Sequence, residues 1–354
     1  MLCYWRILME NHRGAQPHKP TAWALPRNRT TMGPRMRLDI GRIEAAAATI
    51  NQTFLNTPQY VCESLSRALG CRIVLKVETL NPVRCFKGRG TEVVLARLQS
   101  QGDTTSVVCA NAGNLGQALA YGGQLRNFDV TVTASAAANA LKVEKMRALG
   151  AKVILVDGEI EAALQAALEH AEKTGAFLVE DSKNVDTCEG AATIGLELAE
   201  LPHRLDAVLV SLGAGAMATG IGYVLQCRRP GVEVISVQPR NAPAMTLSYQ
   251  AGRVVDPGPP NTIADGVAGR YVIPEVLDDL LAVADDTLLV SEESIKEGMR
   301  LLYLHSGLIV EPAAALGVAA LLESPARYAG KTVATVICGS NVAPRDFEAW
   351  VKLP

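Results

Sequence analysis

From Leu38 onward the apolar positions fall into two alternating patterns. Short unbroken runs, such as Arg72–Val77 (RIVLKV), 206–210 (DAVLV) and 232–237 (VEVISV), have the length and β-branched content of buried strands. Longer stretches, such as 40–50 and 159–174, space their apolar residues by three and four and read as helices, the first with Asp39 as its cap. Further strands are expected at 105–109, 129–134, 152–156, 177–180 and 333–337. Further helices are expected at 87–100, 116–125, 138–149, around 193–199, after the loop that follows residue 210, and at 291–306 and 313–322. Strand and helix alternate throughout, which predicts an α/β fold of parallel sheets covered by helices.

Composition narrows the class. The 354 residues suit two domains or one large one. Hydrophobic residues make up 49% and charged residues 20%, enough apolar surface for a sizeable core. With 34 basic and 36 acidic residues the net charge is −2, which argues against a nucleic-acid or membrane-surface binder. No apolar run approaches 18 residues without a charge or a glycine, so no membrane-spanning helix is expected. The eight cysteines include no CxxC pair and the five histidines no HExxH pattern, so no metal site is read from them. A long chain without a disulfide-like framework reads as cytoplasmic. Residues 1–35 are rich in Arg, Pro, His and Trp, lack any period and contain no secretory apolar region. They are expected to form a disordered extension, with the folded chain starting at Met36.

Three segments carry chemistry. The first is NPVRCFKGRG at 81–90, where an Asn-Pro turn follows a strand and Lys87 stands at a helix start. A helix N-terminus is electropositive and favours the neutral amine, which can attack an aldehyde. The second is CANAGNLGQALA at 109–120, a strand-to-helix loop whose small residues and free amides suit a carboxylate. The third is SLGAGAMATGIG at 211–222, where Gly213-Ala214-Gly215-Ala216 can cradle a phosphate on successive N–H groups. Its glycines are mis-spaced for a dinucleotide fingerprint, and by itself the loop does not name its ligand.

Together the three resemble the fold type II pyridoxal-phosphate enzymes (the tryptophan synthase beta-like superfamily), in particular the serine/threonine dehydratase and serine racemase branch. LKVETLNP at 75–82, NTIADGVA at 261–268, VEPAAALGVAAL at 310–321 and VICGSN at 336–341 follow in the family's order. The resemblance spans about Phe54 to Asn341. It implies two α/β domains with pyridoxal 5′-phosphate in the cleft between them: a large one from 36–104 and 183–354, and a small inserted one at 105–182. It further implies a homodimer.

Residue by residue, Lys87 resembles the Schiff-base lysine and the base at the substrate Cα. Phe86 would pack beside the cofactor, and Asn114 would bond the pyridoxal 3′-oxygen. Asn111, Ala112, Gly113, Asn114 and Leu115 would hold the substrate carboxylate. Gly213, Ala214, Gly215, Ala216 and Met217 match the tetraglycine phosphate loop, with alanine at two positions. Such a loop works if those two sites have negative φ. Cys338 falls opposite the pyridine nitrogen, Gly266 lies in a turn beside the ring, and Glu311 matches a glutamate near the cofactor that also suits helix capping.

Two departures shape the expected reaction. The racemase has a serine where this chain has Ala112, and a methyl group cannot move a proton, so two-base racemisation is disfavoured. The racemase branch also has two metal-binding carboxylates where this chain has Gln238 and Ala244, so no hard cation is expected there. The resemblance then implies β-elimination from a small β-hydroxy amino acid of the threonine or serine type, giving a 2-oxo acid and ammonia. The alternatives are a 3-hydroxyaspartate or diamino-acid ammonia-lyase, with Arg84 available for a second carboxylate, and a β-replacement enzyme of the cysteine-synthase kind. The latter would show TSGNTG where this chain has NAGNLG. A non-enzymatic ligand-binding role is disfavoured, since mere anion binding needs no lysine at position 87.

Overall fold

A computed structural model describes residues 36–102, 104–111, 113–138 and 140–352. The expected extension at 1–35 and the carboxylate-loop residue Ala112 lie outside the described residues. The chain runs α1 (Ile40–Thr49), β1 (Gln59–Val61), α2 (Glu63–Leu69), β2 (Arg72–Val77), α3 (Lys87–Gln101), β3 (Ser106–Ala110), α4 (Asn114–Arg126) and β4 (Asp129–Ser135). It continues through α5 (Ala140–Ala148), β5 (Lys152–Val156), α6 (Ile160–Thr174), β6 (Phe177–Leu178), α7 (Val185–Ala199), β7 (Ala207–Ser211), α8 (Ala216–Arg228) and β8 (Glu233–Pro239). The last elements are α9 (Ala244–Ala251), α10 (Pro274–Val283), β9 (Asp286–Val290), α11 (Glu292–Ser306), α12 (Leu316–Glu323), α13 (Pro325–Tyr328), β10 (Thr332–Ile337) and α14 (Pro344–Val351).

The strands form two sheets. One has six strands in the order β1-β2-β10-β7-β8-β9, and the other has four in the order β5-β4-β3-β6. Every pairing is parallel except that of the edge strand β1 with β2. Parallel neighbours require crossovers, and the intervening helices supply them. Covered on both faces, β2, β7, β8 and β10 carry near-continuous apolar runs: Ile73, Leu75, Val208, Leu209, Ile235 and Ile337 have no exposed surface. The hydrophobic pattern shows these strands clearly for that reason.

Two helices bring the chemistry together. α3 begins at Lys87 and packs Val94, Leu95 and Leu98 with Val107, Cys109 and Val132 of the four-stranded sheet. α7 crosses α3 at glycines: a Cβ on Gly190 would lie 2.5 Å from the Arg89 carbonyl, and one on Gly90 would lie 2.8 Å from that of Thr187. Only hydrogen at both positions allows this approach.

Several elements depart from the periodicity. The helix around 193–199 begins at Val185, and the strand at 177–180 shrinks to Phe177–Leu178. The helix expected at 313–322 starts as a 3-10 turn, Pro312–Ala315, and continues as α12 from Leu316. The sequence reading missed β1, α2, α9, α10, β9, α13 and α14, of which β1 and β9 are the edge strands of the six-stranded sheet. Among the described residues no helix is long and apolar enough to cross a membrane.

Candidate functional site

The site is built where strand ends meet helix starts, as parallel α/β sheets favour. The turn after β2 is pinned by Asn81, whose Nδ2 donates to the carbonyls of Glu78 (2.8 Å) and Cys85 (3.1 Å). Its Oδ1 accepts from the Val83 amide at 3.1 Å. The Phe86 amide donates to the Cys338 carbonyl at 3.0 Å, which fixes the lysine loop against the end of β10. Lys87 follows as the first residue of α3. Its Nζ lies 4.6 Å from the centroid of the Phe86 ring and donates to Asp181 Oδ2 at 2.5 Å.

The second loop links β3 to α4. Asn111 Oδ1 accepts from the Gly113 amide at 2.8 Å and holds the turn. Asn114 Nδ2 donates to both Glu311 oxygens (2.9 and 3.1 Å), while Asn114 Oδ1 accepts from Asn341 Nδ2 at 2.8 Å. The Asn341 amide also donates to Glu311 Oε2 at 3.2 Å. Burial pushes the Glu311 carboxyl above its ordinary value, against the Asn114 hydrogen bond that lowers it.

The third loop links β7 to α8. Gly215 alone in this loop has positive φ, +113°, while Ala214 and Ala216 avoid that region. The two alanines thus occupy the sites that tolerate a Cβ. The Ala216 amide donates to Ser182 Oγ at 2.9 Å. The amides of Gly213, Ala214 and Gly215 have no partner among the described residues. Cys338 is buried, which pushes its thiol well above the ordinary value, and the charge of Glu311 acts in the same direction.

These loops enclose a cavity of about 290 Å³. It is lined by Phe86, Lys87, Asn111, Gly113, Asn114, Leu115, Gly213, Ala214, Gly215, Ala216, Met217, Gly266, Glu311 and Cys338. Arg84 is exposed, has a left-handed φ of +55° and does not line the cavity. Ser211 and Asp265, which lie within the segments 211–222 and 261–268, also line it, as do Asp181 and Lys142, which no motif singled out. Asp181 sits on an irregular segment after β6. Its only signal was a carboxylate just beyond a strand end. Gln238 is buried, and its Oε1 accepts from the Thr246 amide at 2.8 Å, while Ala244 is buried beside the same strand end. Among the described residues no cluster of His, Cys, Asp or Glu is arranged to hold a metal ion.

An aldehyde-bearing, phosphorylated pyridine fits this donor set. The loop of free amides with glycine at its one left-handed site suits the phosphate, and the lysine amine suits the aldehyde.

Comparison with known proteins agrees. Residues 50–339 match the family model described as "Pyridoxal-phosphate dependent enzyme". The chain is 33% identical over 300 residues to the L-threonine ammonia-lyase of Thermotoga maritima, covering 85% of this chain and 75% of that one. It is 30% identical to the L-threo-3-hydroxyaspartate ammonia-lyase of Saccharomyces cerevisiae, covering 88% and 96%. The structure of maize serine racemase superposes with a TM-score of 0.82 at 26% identity, covering 88% and 96%. With the lysine, the amide loop and the family model in register, the chain belongs to the pyridoxal-phosphate-dependent enzymes of fold type II.

Proposed function

We propose that this pyridoxal-phosphate-dependent lyase removes water from a small β-hydroxy amino acid of the threonine or serine type. The product enamine then hydrolyses to a 2-oxo acid and ammonia. The carrying observation is a lysine amine in a cavity whose other cation is already paired. Lys87 is bonded to Asp181 and Lys142 to Asp265, each at 2.5 Å. No cation lining the cavity is left over, among the described residues, to receive a second substrate carboxylate. Together with the outward position of Arg84, this supports a neutral substrate side chain over a dicarboxylic one.

The cofactor, when bound, supplies the electron sink that lets a Cα–H bond break. Gly213, Ala214, Gly215, Ala216 and Met217 would hold its phosphate, Lys87 its aldehyde carbon, and Phe86 and Gly266 its ring. Asn111, Ala112 and Gly113, with the amides of Asn114 and Leu115, would orient the substrate carboxylate. Lys87 then takes the Cα proton. The buried Cys338 thiol stays protonated at neutral pH and offers the ring nitrogen only a weak hydrogen bond. The Asn114–Glu311–Asn341 network keeps the carboxylate loop fixed against the VICGSN segment. Ala112 offers no group to return a proton on the opposite face, which supports elimination over racemisation.

We further place the domain boundaries at 36–104 with 183–354 and at 105–182, a division the two separate sheets support. The seven described cysteines are all free, which supports a reducing, cytosolic setting. The test is direct: protein loaded with pyridoxal phosphate is offered a panel of amino acids, and 2-oxo acid and ammonia are measured. Turnover of L-threonine or L-serine is expected, and Lys87→Ala should abolish it together with the cofactor's absorbance band. Turnover of L-threo-3-hydroxyaspartate alone would overturn the substrate assignment.

A further inference from the structure

We propose that Asp181 is a catalytic residue whose carboxylate takes from Lys87 the proton that Lys87 removes from Cα and passes it to the departing β-hydroxyl. The proposal rests on the elimination reading above.

Asp181 Oδ2 lies 2.5 Å from Lys87 Nζ, and both side chains line the cavity, with 22% and 17% of their surface exposed. Asp181 Oδ1 is closed off from solvent yet has no hydrogen-bond partner among the described residues. A buried carboxylate oxygen without a donor is costly, so this atom is placed for a donor that arrives with a ligand. The other carboxylates on the cavity wall are engaged. Glu311 has both oxygens on Asn114 and one on the Asn341 amide, and Asp265 is largely exposed and paired with Lys142.

The backbone beside Asp181 is held in a strained form. Ser182 is buried with a left-handed φ of +65°. Its amide donates to Thr187 Oγ1 (2.9 Å), its Oγ accepts from the Ala216 amide (2.9 Å), and its carbonyl accepts from Arg37 Nη2 (3.2 Å). A non-glycine residue in this conformation is strained, and such strain persists where surrounding contacts fix a functional group. Here they fix the Asp181 carboxylate between Lys87 and the phosphate loop.

The proton inventory closes without another reactant. The Cα–H and Cβ–O bonds break, a C=C bond forms, and the hydroxyl leaves as water. Hydroxide alone is a poor leaving group and needs a proton. Lys87 gains one from Cα, and Asp181 is the group in direct hydrogen-bond contact with that amine. The Asp181 carboxylate accepts that proton from Lys87 and, as a carboxyl group, gives it to the departing oxygen, so one proton moves from Cα to water and both the neutral amine and the carboxylate are restored.

Two measurements test this. In cofactor-free protein, the rate of Lys87 modification by trinitrobenzenesulfonate at a fixed pH, read by mass spectrometry, should rise severalfold in Asp181→Asn, since the amine loses the carboxylate that holds it. An unchanged rate overturns the Lys87–Asp181 contact, and the proton exchange with it, whatever the substrate is. In loaded enzyme, Asp181→Asn should keep the cofactor's absorbance band but lose about 10²–10⁴-fold in kcat on L-threonine. On β-chloro-L-alanine, whose chloride leaves without a proton, the loss should be less than about tenfold if the acid step is what was removed. Equal losses on both substrates would mean that Asp181 only shapes the site, and the proposal fails while the elimination reading stands. Wild-type enzyme that turns over no β-hydroxy amino acid overturns the elimination reading and the leaving-group role with it.

Discussion

Arg89 grips both oxygens of Glu78, Nε to Oε2 at 2.8 Å and Nη2 to Oε1 at 2.9 Å, with both side chains out of contact with water. Arg89 lies two residues beyond Lys87, and Glu78 directly follows β2. Arg89 Nη1 also donates to Glu197 Oε1 at 2.6 Å and to Thr193 Oγ1 at 2.9 Å on α7. Lys76, wholly buried, pairs with Glu197 as well. Two cations and two anions thus balance inside the fold, and the start of α3 is tied to β2 and α7 at once.

Arg89→Met should therefore destabilise the protein by about 3–5 kcal/mol, because it leaves buried carboxylates without their partner. Denaturant unfolding of variant and wild type checks this. Arg89→Lys should recover only part of the loss, since an ammonium cannot span both Glu78 oxygens.

Gly215 and Ala214 make a matched pair. A Cβ on Gly215 would stand 2.4 Å from Val276 Cγ1 at a φ of +113°. Gly215→Ala should cost about 1–3 kcal/mol of strain at the loop and weaken pyridoxal phosphate binding by tenfold or more. Ala214→Gly should leave binding within about threefold, as its φ already suits any residue. Titration of the cofactor's absorbance distinguishes the two outcomes.

Glu311 sets a pH dependence. Burial holds its folded-state carboxyl above the ordinary 4.5, with the Asn114 hydrogen bond opposing. A carboxyl held high in the folded state favours folding most when protonated. Its contribution is full below the unfolded value and is lost as pH rises through the folded one. The stability of the wild type relative to Glu311→Gln should therefore fall as pH rises from about 4 toward neutrality. Unfolding free energies of both proteins across that window measure the difference, and a constant gap would contradict it.

Arg37 clamps two parts of the chain beside the site. Its Nε donates to Asp279 Oδ2 at 2.7 Å, and its Nη1 and Nη2 reach the carbonyls of Lys183 and Ser182. Asp279 is 1% exposed, and burial raises its carboxyl while Arg37 opposes that. Arg37→Ala should cost about 1–3 kcal/mol by leaving the Asp279 carboxylate short of donors. It should also loosen the Ser182 turn, read as faster amide hydrogen exchange around residues 181–184.

The local sequence already determined much of this protein. β2, β7, β8 and β10 are visible as unbroken apolar runs because a strand covered on both faces has no polar side. The lysine, carboxylate and phosphate loops are visible because a chain turning from strand into helix around a ligand needs small residues at fixed offsets. Other features were decided only by tertiary structure. Asp181 meets Lys87 across 94 residues of sequence, and Glu311 meets Asn114 across 197, so no spacing rule reveals either contact. Nothing in the local sequence pairs Arg89 or Lys76 with a carboxylate, and it is packing that encloses them with Glu78 and Glu197. β1, three residues long, is a strand only because β2 offers it an edge. Apolar period and turn chemistry act between neighbours in the chain. The pairing of buried charges and the crossing of α3 over α7 depend on which surfaces folding brings into contact, and that information is spread over the whole sequence.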